Sequence, residues 1–216
     1  MLMLALEAAT SLGSVAILRD GELLASREVQ MRSGAEEHLL PAIDESLREA
    51  GATTRDLASV VCGAGPGSFT SLRVCASLAK GIAFARDIPL RAVPSLALIA
   101  ADASLSDGAY LAVLDALRGE VFVAAYMRAG NQVTELSPVR LVPRESLANE
   151  SMLLQAKVIG PEERPRLSPR AANVVRLAAW LALPPVSLAA WEPDYGRLAE
   201  AQVKWEQAHG RPLPVS

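Results

Sequence analysis

The stretch that decides the fold runs Leu57-Ala58-Ser59-Val60-Val61-Cys62, then Gly63-Ala64-Gly65-Pro66-Gly67-Ser68, then Phe69-Thr70-Ser71-Leu72-Arg73-Val74. An apolar run that breaks at a glycine cluster and resumes with helical spacing reads as strand, tight turn and helix. The first N–H groups of such a helix have no intrahelical partner, so the turn suits an anion. The same glycines also serve a plain strand-to-helix turn with positive φ angles. The residues alone leave both readings open. Two phosphate loops are excluded. No Gly-Lys-Ser/Thr follows, Lys80 lies far along the helix, and the glycine spacing differs from the dinucleotide fingerprint.

Upstream, three strands are predicted at Leu2 to Glu7, Gly13 to Leu18 and Glu22 to Val29, the last two joined by an Arg19-Asp20-Gly21 hairpin turn. A helix follows from about Ser33 to Ala50. Ser33 and Glu36 stand at capping-box spacing, Leu39, Leu40, Ile43 and Leu47 recur at helical spacing, and Gly51 is the stop. Pro41 predicts a kink, or a regular start pushed to about Leu40. Past the glycine turn come a helix to about Ala85, a strand at Leu90 to Val93, and a helix from Ser95 to Asp102.

The order of elements then repeats without sequence identity. Strands are predicted at Ala109 to Asp115, Glu120 to Arg128 and Val133 to Val142, a short helix near Pro143 to Asn149, a strand at Lys157 to Gly160, and a longer helix over Pro169 to Leu183. Two βββαβα units in tandem predict two α/β layers with a cleft between them. This is the order of the actin-like ATPase (ASKHA) architecture, in which each half is an RNase-H-like unit. Residues 1–103 are expected to form the N-terminal half, carrying the partner-binding helices. Residues 104–216 form the C-terminal half, with the final helix expected to pack back on the first.

In that architecture the first hairpin of each half faces a nucleotide. Glu7 and Asp115 end the first strand of each half, and Thr10 and Gly119 lie in the two hairpin loops. A working site needs carboxylates with hydroxyl or glycine at the phosphate-facing positions. Ala8 supplies no hydroxyl, so these four residues read as a vestigial cleft, with no cofactor expected. Ser68 and Ser71 lie near the glycine turn, but there is no Gly-x-Ser-x-Gly elbow and no placed base, so a hydrolase triad is not supported.

Composition narrows the classes further. Of 216 residues, 51% are hydrophobic and 21% charged, with a net charge of −3, which excludes a disordered chain. No apolar run approaches the roughly 20 residues of a membrane span. The opening Met1-Leu2-Met3-Leu4-Ala5-Leu6-Glu7 has no basic n-region, so no signal peptide and a cytoplasmic location are expected. Lys plus Arg is 21 against 24 Asp plus Glu, and aromatics are 4%, a poor composition for a primary RNA-binding subunit. Two cysteines, Cys62 and Cys75, and two histidines, His38 and His209, share no ligand spacing, so no metal site is expected and the thiols read as reduced and structural.

Gly65-Pro66-Gly67-Ser68-Phe69-Thr70-Ser71-Leu72-Arg73 resembles the Gly-Pro-Gly-Ser-Phe-Thr-Gly-Leu-Arg signature of the TsaB (YeaZ) family. Leu4-Ala5-Leu6-Glu7, Leu39-Leu40-Pro41, Asp115-Ala116-Leu117-Arg118-Gly119-Glu120-Val121-Phe122 and Glu192-Pro193-Asp194-Tyr195-Gly196-Arg197 resemble further family stretches in the right order. The resemblance implies two RNase-H-like halves. It also implies a non-catalytic dimerisation subunit that works with the catalytic paralogue TsaD and the ATPase TsaE. Together they support threonylcarbamoyl transfer from its adenylate to the adenosine beside the anticodon of ANN-decoding tRNAs. It further implies a homodimer when the protein is alone, and tRNA contact only through the complex. The sequence departs from the family in Glu7 for Asp, Ala8 for Thr, and Ser71 and Cys75 where glycine is usual. His38 receives no role.

The second helix carries a stripe of small apolar residues, Leu72, Ala76, Ala79 and Ala83, with Leu78 and Ile82 on another flank. With Leu39 and Ile43 of the first helix, this stripe is the expected partner contact; the alternative is a helix wedged between its own sheet and the neighbouring helix. Gly65, Pro66, Gly67, Ser68, Phe69, Thr70 and Arg73 form the signature loop. The alternative reading is an actin-like phosphotransferase or ATPase using Glu7 and Asp115, and a glycoprotease-like peptidase is the third.

Overall fold

A computed structural model describes residues 1–31, 38–196 and 209–210. The first half contributes β1 (Leu2–Glu7), β2 (Leu12–Arg19), β3 (Glu22–Gln30), α1 (Leu39–Glu49), β4 (Leu57–Gly63), α2 (Phe69–Arg86), β5 (Leu90–Val93) and α3 (Ser95–Ala100). The second contributes β6 (Gly108–Asp115), β7 (Glu120–Ala129), β8 (Gln132–Pro143), α4 (Leu147–Leu154), β9 (Lys157–Ile159) and the four-residue α5 (Ala178–Leu181). Each sheet opens with an antiparallel meander whose first strand then pairs in parallel with the next one, giving the orders β3-β2-β1-β4-β5 and β8-β7-β6-β9. Both sheets carry the actin-like, RNase-H-like arrangement.

Strand alternation divides the side chains into layers. On the first sheet, Leu2, Leu4, Leu6, Val15, Ile17, Val60 and Cys62 face α1 and α2, packing on Ile43, Leu47, Cys75, Ala79 and Ala83. Ala5, Ala16, Leu18 and Val61 face the other way, onto α3 and the second half. There they share a core with Tyr110, Ala112, Leu114, Phe122, Ala124 and Tyr126 of the second sheet. The opposite residues of that sheet, Leu111, Val113, Val121 and Val123, join Leu147 of α4 in a third, smaller core. Every residue of α3 is buried, because it lies between the sheets and contacts β6, β7 and β8.

The late start offered for the first helix is what the structure has, and two other sequence expectations change. α1 begins at Leu39, so Pro41 falls in the first turn, where a missing N–H costs no intrahelical bond; Ser33 and Glu36 lie outside the described residues. The short helix expected to end near Asn149 starts with a 3-10 turn at Arg144–Ser146 and continues as α4 to Leu154. The long helix expected over Pro169 to Leu183 is a 3-10 segment, Ala171–Arg176, followed by α5. Ala171, Val174 and Leu177 recur every third residue and all three are buried. That period matches three residues per turn, so one row of a 3-10 helix buries what an α-helix would spread around its circumference. This row lies under β1, β2 and β3 of the first sheet, and the Ala171 N–H donates to Ser14 Oγ at 2.9 Å.

The final helix expected to pack back falls outside the described residues. Residues 184–196 do return to the first half, as an extended strap. The Val186 N–H donates to the Leu90 carbonyl of β5, and Val186, Leu188 and Trp191 pack on the α1 and α2 side of the first sheet. Among the described residues, no helix is long and apolar enough to cross a membrane.

Candidate functional site

The glycine loop is placed by β4 and opens α2. Three of its donors are already used. The Ala64 N–H donates to Val93 O at 2.7 Å, Gly65 N–H to Ser95 Oγ at 3.1 Å, and Ser68 N–H to Ala9 O at 2.7 Å. Pro66 has no N–H. An anion cradle needs several convergent free amides, and this loop spends three of its own on β5, α3 and the β1–β2 turn. Its glycines answer to close backbone approach. Gly65 has a φ of +87° and stands against the Asp194 carbonyl of the strap, and a methyl on Gly67 would collide with the Ala9 carbonyl. Of the two sequence readings, the geometry favours the structural turn.

The two hairpin carboxylates have separate fates. Glu7 is completely buried beneath Gly63, where a side chain on residue 63 would overlap its carboxyl group. It accepts hydrogen bonds from the Ala9 N–H and, at 2.8 Å, from Ser95 Oγ. Removal from water pushes its pKa up to about 7, although these hydrogen bonds, with that of Ala8, pull it down. Thr10 closes its own turn, Oγ1 donating to Leu12 O at 2.9 Å and accepting from Leu12 N–H at 3.1 Å.

Asp115 stays half-exposed. It accepts from the Leu117 N–H at 3.3 Å and lies 3.9 Å from Arg144, which also pairs with Glu162 and Glu163. Leu117, Arg118 and Gly119 all have positive φ, so the second hairpin turns tightly away on its own backbone. Glu7, Thr10, Asp115 and Gly119 therefore serve local structure in each half. Among the described residues, no group of three or more His, Cys, Asp or Glu side chains could hold a metal ion.

The helical stripe requires a correction. Leu39, Ile43, Leu72, Ala76, Ala79 and Ala83 are all buried within this one chain, at 5% exposure or less. They face the protein's own interior, because the sheet beneath α1 and α2 needs small side chains for close approach. What the two helices present outward is a different set. On α2 it is Thr70, Arg73, Ser77, Gly81 and Phe84, spaced three or four apart along one face, with Phe84 80% exposed. On α1 it includes Leu40, 52% exposed, with Asp44 and Arg48. A methyl built on Gly81 meets nothing within 4 Å. A glycine inside an exposed helix weakens it by about 0.5–1 kcal/mol relative to alanine, and the chain's own contacts give no reason for it. That glycine was the signal in the sequence for the outer face.

The strap brings the two most distant motifs together. The Asp194 N–H donates to Ala64 O at 2.8 Å, and the Tyr195 ring lies 4.5 Å from that of Phe69. Arg73 stands 5.0 Å from the Phe69 ring centroid, and Lys80 caps the Trp191 ring at 5.8 Å. Ser68 and Ser71 pair through their hydroxyls at 3.0 Å. Phe69 and Arg73 of the signature are thus locked to Tyr195, while Thr70 is exposed beside them; Arg197 lies outside the described residues. Ser95, Asp194 and Trp191 were missed as structural partners, since nothing local in their sequence marks a contact so far along the chain.

A family model described as TsaD, tRNA N6-adenosine threonylcarbamoyltransferase, matches residues 32–160. The tRNA threonylcarbamoyladenosine biosynthesis protein TsaB of Bacillus subtilis (strain 168) is 27% identical over 226 residues, covering 95% of this chain and 98% of that protein. The protein of the same name from Escherichia coli (strain K12) is 32% identical over 154 residues, 70% of this chain and 66% of the relative. The solved structure of YeaZ from Pseudomonas aeruginosa superimposes with a TM-score of 0.77 at 27% identity, covering 90% of this chain and 99% of that one. Together with the signature loop, the strap motif and the two-sheet fold, these matches show that the chain belongs to the TsaB/YeaZ family of tRNA threonylcarbamoyladenosine biosynthesis proteins, within the wider TsaD group.

Proposed function

We propose that this chain is a non-catalytic subunit of the assembly that transfers threonylcarbamoyl to tRNA, binding a TsaD-type catalytic paralogue. The observation that carries the reading is the state of Glu7. The carboxyl that an actin-like site would turn toward a nucleotide is buried and hydrogen-bonded to Ser95 inside the protein. The amides of Ala64, Gly65 and Ser68 in the glycine loop are spent within the protein as well. A phosphotransferase or ATPase reading is left with Asp115 alone of the two carboxylates, and a metallopeptidase reading has no His-x-x-x-His spacing in the sequence.

The partner surface we propose is the outer face of α1 and α2, with Leu40, Ser77, Gly81 and Phe84 at its centre. Small residues at 77 and 81 let a second helix approach the backbone closely, and Phe84 supplies a large apolar anchor. The same face serves a second copy of the chain when the paralogue is absent. A TsaE-type ATPase and tRNA join through the complex.

The test is co-purification of the full chain with its TsaD-type paralogue. Gly81→Arg and Phe84→Ala are expected to keep the wild-type circular dichroism spectrum and to lose the complex. Ser106→Ala, far from these helices, is expected to keep it. Unchanged binding by both α2 variants would move the interface elsewhere. ATP turnover by the purified chain alone, abolished by Asp115→Ala, would make the enzyme reading correct.

A further inference from the structure

The two sheets end differently. In the first, β5 lies outside β4 as a fifth strand. In the second, β9 is the last strand, and the chain after it makes one isolated parallel bridge, Gly160 with Arg166. The Leu167 N–H donates to Gly160 O at 2.9 Å, and the chain then turns into the inter-sheet core. Beside β9 a cleft of about 530 Å³ opens, lined by Ser104, Ser106, Tyr110, Lys157, Arg164 and Pro165 among others. Among the described residues, no acidic side chain lines it. Neither Lys157 nor Arg164 joins an ion pair among the described residues.

A short edge strand bearing lysine is a common way to keep stray strands off a sheet. The device is selective by charge. It repels a basic strand and penalises an apolar one, which would strip water from the ammonium group. A strand carrying carboxylates gains from the same cation. Guarding the edge does not require a second unpaired cation, nor a hollow between the two. We propose that this cleft receives an extended acidic peptide segment of a partner protein. The segment adds to the second sheet as its fifth strand, its backbone along the Val158 edge and its carboxylates on Lys157 and Arg164. This surface lies on the second half and is independent of the α1 and α2 face.

The probe is a fluorescein-labelled Val-Glu-Val-Glu-Val-Glu peptide titrated with the full chain and followed by fluorescence anisotropy. Saturable binding is expected, with slower hydrogen exchange at the Val158 amide when the peptide is bound. The double variant Lys157→Ala with Arg164→Ala alters two exposed side chains, so its circular dichroism should be unchanged while its affinity falls by at least about tenfold. Absence of peptide binding, or unchanged affinity in the double variant, overturns the proposal. So does equal binding of the lysine counterpart, Val-Lys-Val-Lys-Val-Lys. Complete displacement by millimolar inorganic phosphate would make the cleft a small-anion site and would also overturn it.

Discussion

The two halves share a topology and use it for different ends. At the close of its first strand, the N-terminal half buries Glu7 and ties it to Ser95, while the C-terminal half leaves Asp115 in a surface ion pair with Arg144. The first sheet is covered by the long helix α2 with α1 beside it; among the described residues, the second has the eight-residue α4 on the corresponding face. The first sheet has five strands and the second four. The two sheets thus share a backbone frame without pairing their carboxylates across it. Two carboxylates cooperate on one metal only when both face the same space, and here one has moved into the interior. The half that carries the glycine loop also carries the large outer helical face, so it is the more elaborated of the two.

The strongest way to test that division is to put charge into the elaborated half. Ala79→Arg would bury an unpaired guanidinium between α2 and the sheet, and Ala79 is fully buried. The expected loss is several kcal/mol, enough to unfold the chain, read as loss of a cooperative thermal transition. A folded Ala79→Arg protein would show that α2 is not held against its own sheet.

Next in size are the close approaches that hold the glycine loop. Gly67→Ala forces a methyl onto the Ala9 carbonyl, and Gly65→Ala adds the strain of a positive φ. Each is expected to cost about 2–4 kcal/mol in urea unfolding. Gly21→Ala, whose methyl meets nothing, should cost only about 1 kcal/mol through its φ of +86°.

The buried carboxyl of Glu7 gives a pH signature. Because its pKa is raised in the folded state to about 7, Glu7 favours folding when protonated. Its contribution is complete below the unfolded value near 4.5 and is lost as pH rises through 7. Glu7→Gln should therefore be more stable than the parent above pH 7, by up to about 3 kcal/mol, with the advantage vanishing below pH 4.5. Parallel denaturation curves at pH 4, 6 and 8 decide this. A constant difference across that range would mean that Glu7 does not titrate inside the protein.

A smaller effect separates stability from partner binding on the outer helix. Gly81→Ala is expected to stabilise the isolated chain by about 0.5–1 kcal/mol, since the added methyl meets open space. The same change should weaken the proposed helical contact. Smallest of all, Asp115→Asn should shift stability by less than about 0.5 kcal/mol, because its ion pair is long and half-exposed.

Much of the fold was legible in the chain. Strong local signals placed Leu2–Glu7 and Leu90–Val93 to the residue and the start of α2 near Phe69, since apolar runs, glycine breaks and helical spacing all act over a few residues. The segment from Ala171 to Leu181 was misread. An apolar stretch of that length has the composition of an α-helix, and its three-residue period gains meaning only against the sheet it lies under. The stripe on α2 was read correctly as a stripe and assigned to the wrong neighbour. Spacing reveals that Leu72, Ala76, Ala79 and Ala83 share a face, and it carries no information about what that face meets.

By itself, then, the sequence determined the order of elements, the two-unit repeat, the glycine turn and the family signature, all of which rest on interactions between near neighbours along the chain. Only the tertiary structure decided that Glu7 turns inward to Ser95, that the loop amides are spent on residues 9, 93 and 95, and that Asp194 and Tyr195 close over a loop far earlier in the chain. Those outcomes depend on how the sheets, α3 and the strap share one interior, and burial between distant segments leaves no periodic trace in either of them.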